Sequence, residues 1–212
     1  MQKEGINLMS TQTAEDRLSN PAHVLRLHSS IFLRLILVGW VALAAATAMA
    51  ETPGTGSEAP DFSLPTPTGA SVSLANETAK GTTVLVMLRG YPGYQCPYCV
   101  MQVHDFAEHS AGFAAKGVHV LFIYPGPPAD LDLHVKEFLA KGAALPANVQ
   151  VVIDPDYKVT KLYGLRWDAP HETAFPATFI LDRSRKILFE KIVHTHGDRT
   201  KAEEVLALIP VK

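Results

Sequence analysis

Cys96 and Cys99 are the only cysteines in the chain, and Pro97 and Tyr98 are all that separates them. Two thiols at this spacing can cycle as a dithiol–disulfide pair, hold a soft metal ion, or close a structural bridge. A Cys96–Cys99 bridge would be a poor staple, because so short a loop removes little freedom from the unfolded chain. Redox work needs a thiolate, and a free thiol titrates about a unit or more above neutral. The start of a helix helps, since unpaired N–H groups and the positive end of the dipole face outward there. Pro97 is the residue type that a first helical turn accepts. Cys96 therefore takes the helix end as the attacking thiol. Cys99, one turn inside and expected to be more buried, is the resolving thiol.

A metal reading draws on Cys96, Cys99, His104 and His109 in "CPYCVMQVHDFAEH". Residues five apart on one helix point about 140° away from each other. Cys99, His104 and His109 are spaced in that way and cannot converge on one ion, so both histidines are expected at the surface. His194 and His196, in "HTHGD", share a face if they lie on a strand and otherwise decorate an edge or loop. No glycine-rich nucleotide motif follows a strand, and no organic cofactor is expected. The 212 residues carry a formal net charge of −2 and no Lys/Arg cluster, which gives no electrostatic case for nucleic acid.

The cysteines must be positioned by the elements around them. "TTVLVMLR", Thr82 to Arg89, reads as a strand buried on both faces. A loop, "GYPGYQ", leads to a helix expected from Tyr98 to about Lys116, with Val103, Phe106, Ala107, Ser110 and Ala114 at helical spacing. Val118 to Tyr124 is a second strand. Leu131 to Lys141 reads as a helix with Leu133, Phe138 and Leu139 inward. Val149 to Asp154 is a third strand, and Tyr157 to Tyr163 a short helix stopped by Gly164. Ala177 to Asp182 is a fourth strand, then a turn and "ILFEKI", and Thr200 to Ile209 closes the chain as a helix. Ala59 to Leu74 reads as a turn-rich entry with a hairpin near Thr68-Gly69. Alternating strands and helices imply an α/β fold with helices on both sheet faces. The late strand–turn–strand pair makes the sheet mixed.

The first fifty residues differ. Leu35 to Ala46 is apolar and charge-free, too short for a membrane span and suited to a signal-peptide core. Arg26 and Arg34 form a basic flank, and Ala48-Met49-Ala50 fits cleavage after Ala50. Either Met1 or Met9 could start the chain. The alternative is an uncleaved N-terminal anchor. Both send the domain across a membrane, to a periplasmic or extracellular place where disulfides persist. Residues 51–58 are expected to be a linker and 59–212 the working domain. Asn76-Glu77-Thr78 matches a glycosylation sequon, a match expected to be accidental.

The stretches "APDFSLPTPTGASVSL", "TTVLVMLRGYPGYQCPYC", "VVIDPDYKVTKLYGL" and "FPATFILDRSRKILF" resemble the thioredoxin-like superfamily in its peroxiredoxin-related branch, the redoxin or AhpC/TSA domains. The resemblance spans most of Ala59 to Ile192. It implies a central mixed sheet with Cys96 at the start of the second major helix. "CPYC" is also the glutaredoxin dipeptide pattern, a local likeness only. The resemblance further implies a cis bond before Pro176, packed against the cysteine pair. Peroxiredoxins carry Pro-x-x-x-Thr/Ser-x-x-Cys and an Arg on the strand near Pro176. Here Pro92 lies four residues before Cys96, Gly93 stands in the place of the hydroxyl residue, and Pro176 stands about where the Arg would be. Arg89 is a substitute source of positive charge, although a strand-end arginine is ordinarily solvated. Trp167 and Tyr163 either wall the site or simply pack.

Two enzymatic readings follow. Cys96 attacks a substrate disulfide and Cys99 releases the product, or Cys96 attacks a peroxide and Cys99 condenses with the sulfenic acid. Either needs a protein disulfide or peroxide substrate and a thiol electron donor. A rival of another class is a Cu(I) carrier using Cys96, Cys99 and His171, by likeness to copper-delivery proteins of the thioredoxin fold. A second rival is a non-catalytic interaction domain with an idle disulfide.

Overall fold

The structure, a computed structural model, describes residues 51–142 and 144–209. The leader expected over residues 1–50, with its cleavage after Ala50, lies outside the described residues. None of the described helices is long and apolar enough to cross a membrane.

The hairpin expected near Thr68-Gly69 is β1 (Ser63–Pro65) paired antiparallel with β2 (Ser71–Ser73), and Gly69 takes the left-handed turn position at φ 89°. Ser73 then caps a helix that the sequence reading did not foresee, α1 (Leu74–Lys80), by accepting from the Asn76 amide. Two of its three buried residues are the polar Glu77 and Thr78, which hides it from a search for apolar periodicity. Glu77 is paired with Lys80 at 2.6 Å, and the Thr78 hydroxyl donates to the Leu74 carbonyl at 3.1 Å. The threonine of the sequon is thus a packed helix residue.

The remaining elements follow in chain order: β3 (Thr82–Met87), α2 (Pro97–Glu108), α3 (Ser110–Ala115), β4 (Val118–Gly126), α4 (Leu131–Ala140), β5 (Val149–Pro155), α5 (Lys158–Leu162), β6 (Ala177–Leu181), β7 (Ile187–Ile192) and α6 (Ala202–Leu208). The main sheet runs β5-β4-β3-β6-β7. β3, β4 and β5 are parallel, while β6 runs antiparallel to both β3 and β7. The mixed α/β sheet read from the sequence is therefore present. Alternation along β3 builds two cores. Val84, Val86 and Leu88 face α2, α3, α4 and α6, against Phe106, Phe113, Val135 and Val205. Leu85 and Met87 face α1, α5 and the hairpin, against Leu74, Val159, Tyr163 and Phe179.

Three details depart from the sequence reading. The long helix is two, broken at His109 (φ −89°, ψ 7°), and Phe113 rather than Ala114 fills the core. In α4 the inward residues are Leu131, Val135 and Phe138, one consistent helical stripe, and Leu133 is 51% exposed. The expected linker is docked. Gly56 N donates to Ile187 O at 2.8 Å, Ile187 N donates to Ser57 O at 2.9 Å, and Glu58 bridges to Lys186. This segment covers part of the β7 edge, which would otherwise offer unpaired backbone groups.

Candidate active site

β3 carries the chain to the cysteines through a turn that only glycine can make. Tyr91 N donates to Pro125 O at 3.0 Å, so the backbone passes close to the end of β4. Gly90 has φ 71°, and a β-carbon there would lie 1.9 Å from the Pro125 carbonyl oxygen. After this turn the loop returns to Cys96, the N-cap of α2, with Pro97 in the first helical position. The Cys96 carbonyl accepts from Cys99 N at 3.1 Å and Val100 N at 3.2 Å. The helix start read from Pro97 is thus in place.

Both cysteines are free thiols, the reduced form of the pair. Cys96 is 1% exposed and Cys99 0%, so the expected difference in burial is marginal. Their chemistry differs sharply. The Cys99 thiol donates to the Cys96 sulfur, and this bond, with Arg199 and the Cys99 amide, lowers the Cys96 thiol to about 5 against the opposing effect of burial. Burial pushes the Cys99 thiol well above the ordinary range, and its bond to Cys96 pushes in the same direction. The surroundings thus favour the thiolate on Cys96 and keep the proton on Cys99. Burial, then the neighbouring Cys99, also raise the Tyr124 hydroxyl, which donates to Gln95 Oε1 at 2.9 Å.

The cation at Cys96 is Arg199, which the sequence reading missed. It stands in the connection between β7 and α6, 103 residues from Cys96, where no periodicity marks it. Its Nη2 donates to Cys96 Sγ at 3.8 Å, Nη1 to Gln102 Oε1 at 3.2 Å, and Nε to the His196 carbonyl at 3.0 Å. Among the described residues no ion pair joins Arg199 to a carboxylate. Arg199 also lines a cavity of about 480 Å³, together with Tyr98, Met101, Gln102, Lys201 and Glu204. Arg199 thus borders that cavity and bonds the buried sulfur, which does not line it.

Arg89 is not the solvated strand-end residue expected. It is 2% exposed, and protein acceptors replace its water. Its Nε donates to Glu172 Oε2 at 2.6 Å, Nη1 to the Tyr94 hydroxyl at 2.6 Å and Nη2 to the His171 carbonyl at 2.7 Å. The Thr173 hydroxyl donates to the Arg89 carbonyl. The second Glu172 oxygen, Oε1, meets His196 Nε2 at 2.8 Å. Burial opposes ionisation of Glu172, but the bonds from Arg89 and His196 outweigh it and hold its carboxyl below the ordinary range. Likewise burial pulls the Arg89 guanidinium down, yet Glu172 and Tyr94 hold it above its usual value. Arg89 contributes to the low Cys96 value, but less than Arg199 does.

Pro176 is buried at the head of β6, but its bond to Phe175 is trans, contrary to the cis expectation. Phe175 N donates to Leu165 O and Val193 N donates to Pro176 O, each at 2.8 Å. Extended pairing on both sides of the bond makes Pro176 a strand-opening proline without an N–H to satisfy.

His171 is exposed, at φ 61°, and it is its carbonyl that serves the site. Among the described residues no three His, Cys, Asp or Glu side chains could hold a metal ion, so Cys96, Cys99 and His171 are not brought together as ligands. His104 faces Glu108 at 3.9 Å, and His109 lies between Asp105 and Glu203 at 3.2 and 3.6 Å. His194 packs on Phe175 and Trp167 stacks on the same ring. Tyr163 is a core residue whose hydroxyl donates to Pro60 O at 2.8 Å.

A mixed sheet with a Cys-x-x-C pair at the head of the following helix, one thiol activated and one held protonated, defines a thiol-dependent oxidoreductase of thioredoxin-like fold. Comparison with known proteins places it more closely. The Redoxin family model matches residues 54–206, and the chain belongs to that family. A Mycobacterium tuberculosis protein assigned to the peroxiredoxins is 30% identical over 138 residues, 63% of this chain and 81% of its own. Among solved structures, the peroxidoxin BcpB of the same organism shares the fold at TM-score 0.57 and 21% identity, over 74% of this chain and 96% of its own. A Chlorobium tepidum protein described as a thiol:disulfide interchange protein, DsbE, aligns at TM-score 0.55 and 25% identity, over 75% of this chain and 100% of its own.

Proposed function

We propose that the chain is an exported thiol–disulfide oxidoreductase in which Cys96 is the nucleophile and Cys99 the resolving thiol. The observation that carries this reading is the placement of the two sulfurs: Cys96 caps α2 with Arg199 Nη2 at 3.8 Å, and Cys99 lies buried one turn inside, an arrangement that lowers the first thiol and raises the second. The Cys96 thiolate attacks one sulfur of a substrate disulfide, a mixed disulfide forms, and the other substrate sulfur departs as a thiolate. Cys99 then attacks Cys96 Sγ, its proton passing to the departing thiolate. The other released sulfur takes a proton from solvent, so the substrate leaves as a dithiol and the protein as the Cys96–Cys99 disulfide. An external thiol donor must return two electrons to complete the cycle. The apolar run Leu35 to Ala46 supports export.

Peroxide reduction by the same pair is the second reading, and two observations favour it. A buried Cys96 admits a small peroxide more readily than a protein disulfide, and Arg199 stands where negative charge develops. Here the thiolate attacks one peroxide oxygen, an alcohol or water leaves, and the sulfenic acid condenses with Cys99 with loss of water. Gly93, at φ 107°, offers no hydroxyl to align the peroxide.

Stopped-flow mixing of the reduced chain with hydrogen peroxide, and separately with a peptide disulfide, decides between them. Faster formation of the Cys96–Cys99 disulfide with the peptide supports disulfide exchange. A peroxide rate far above that of a free thiol selects the peroxidase. Cys96→Ser removes both reactions, and if both persist in that variant neither reading stands.

A further inference from the structure

Arg199 acts on the sulfur only while its guanidinium is held there, because the attraction between two charges falls with distance. The connection that carries it has no regular structure between β7 and α6. It is fastened by Val193 N donating to Pro176 O at 2.8 Å, the His194 ring against Phe175, the His196 ring against Trp167 and Glu172, Lys191 on Asp198 at 3.0 Å, Gln102 Nε2 donating to the Thr200 carbonyl at 3.3 Å, and Thr200 Oγ1 against Thr178 Oγ1 at 2.6 Å. The His196 carbonyl in turn accepts from Arg199 Nε. The loop between α5 and β6 is secured from below. There Arg166 donates to the carbonyls of Trp167, Glu172 and Thr173 and lies over the Tyr157 ring at 4.3 Å. Glu172 joins this secured loop to both others, with one oxygen on Arg89 and one on His196.

We propose that Glu172 is the positioning residue of the site: by bonding Arg89 with one oxygen and His196 with the other, it ties three connections together and holds Arg199 against Cys96. The proposal rests on the reading of Cys96 as the attacking thiolate. Two features make it more than a structural ion pair. The chain of contacts runs from a buried arginine to the residue that touches the reacting sulfur. Its sign also differs from that of simple electrostatics. The groups that bear on Cys96 are Cys99, Arg199 and Arg89, and Tyr124 lies close enough to interact with it. Deleting the Glu172 charge would leave Arg89 unneutralised, and by charge alone that would stabilise the thiolate further. Loss of positioning would do the opposite.

The test is thiolate absorbance at 240 nm against pH in the reduced full chain, for wild type, Glu172→Gln and His196→Ala, each alone and combined with Arg199→Met. The proposal expects the Cys96 midpoint to rise in Glu172→Gln by about one unit, with a smaller rise in His196→Ala. In the Arg199→Met background neither change should raise it further, because Glu172 positions through Arg199, and Glu172→Gln should lower it slightly as the freed Arg89 charge alone remains. An unchanged or lowered midpoint in Glu172→Gln, or an equal rise without Arg199, overturns the proposal. If Glu172→Gln does not fold, with Arg89 buried and unpaired, His196→Ala carries the test, since that side chain is 42% exposed. A wild-type midpoint at the ordinary cysteine value would instead remove the reading of Cys96 on which the proposal rests.

Discussion

Arg89, in the connection from β3 to α2, and Arg199, in the connection from β7 to α6, both act on Cys96, but they keep different company. Arg89 is buried, bonded to a carboxylate, a phenol and a carbonyl, so most of its charge is answered before it reaches the sulfur. Arg199 touches a carbonyl, an amide oxygen and the sulfur, and its charge is left for the thiolate. The effect of a cation on a nearby thiol depends on its counter-ions as much as on its distance. The first connection ties neighbouring loops together, and the second brings its charge to the sulfur.

Stability separates the two regions most widely. Arg89→Met strips Glu172 of its buried partner and should cost about 3–5 kcal/mol in denaturant unfolding. Arg199→Met breaks no carboxylate pair and should cost about 1–2 kcal/mol near neutral pH, most of it the lost hold on the thiolate. Equal costs would erase the distinction between an anchoring and an acting arginine.

The pH dependence of stability tests the thiols themselves. The folded Cys96 value, about 5, lies below the unfolded one of about 8.5, so the reduced protein binds fewer protons than its unfolded chain in that window. The thiolate's contribution is fully present above the unfolded value and is lost as pH falls toward the folded one. Stability of the reduced relative to the disulfide form should therefore climb from pH 5 to about 8.5, by at most about 1.4 kcal/mol per unit. Cys99 is shifted the other way, so its contribution is present below the unfolded value and lost above it. The climb should turn over past about pH 8.5. A flat difference would mean neither thiol is perturbed.

Smaller effects sharpen the picture. Arg199→Met should raise the Cys96 midpoint by about one unit, which makes reaction with a small disulfide about fivefold slower at pH 5 and nearly unchanged at pH 8. A loss independent of pH would assign Arg199 to substrate binding instead. Tyr94→Phe removes one acceptor from Arg89 at a half-exposed rim. It should cost about 1 kcal/mol or less and leave the thiol titration where it was.

The cysteine pair was legible in the sequence because its activation begins locally, with Pro97 opening the helix and one turn separating the thiols. The long strands were legible because each is an unbroken apolar run. The rest of the site was not, because it is assembled across the chain: Arg89 meets Glu172 83 residues away, and Arg199 meets Cys96 103 away. Nothing local marks Glu172, His196 or Arg199 as different from other loop charges. Arg89 was singled out as a charge near the cysteines, but a strand-end arginine looks solvated until the loops that bury it are known. The trans bond before Pro176 escaped because that expectation came from family likeness, and no local sequence signal marks the isomer. The phase of α4 failed at Leu133 because a ten-residue helix with several leucines offers more than one apolar stripe.

The account stands most directly on the titration of Cys96 in the wild-type reduced chain, read at 240 nm and compared with Cys96→Ser. It predicts one thiolate that forms with a midpoint near 5 and vanishes in the variant. A midpoint near the ordinary cysteine value of about 8.5, or a signal that survives Cys96→Ser, would contradict it.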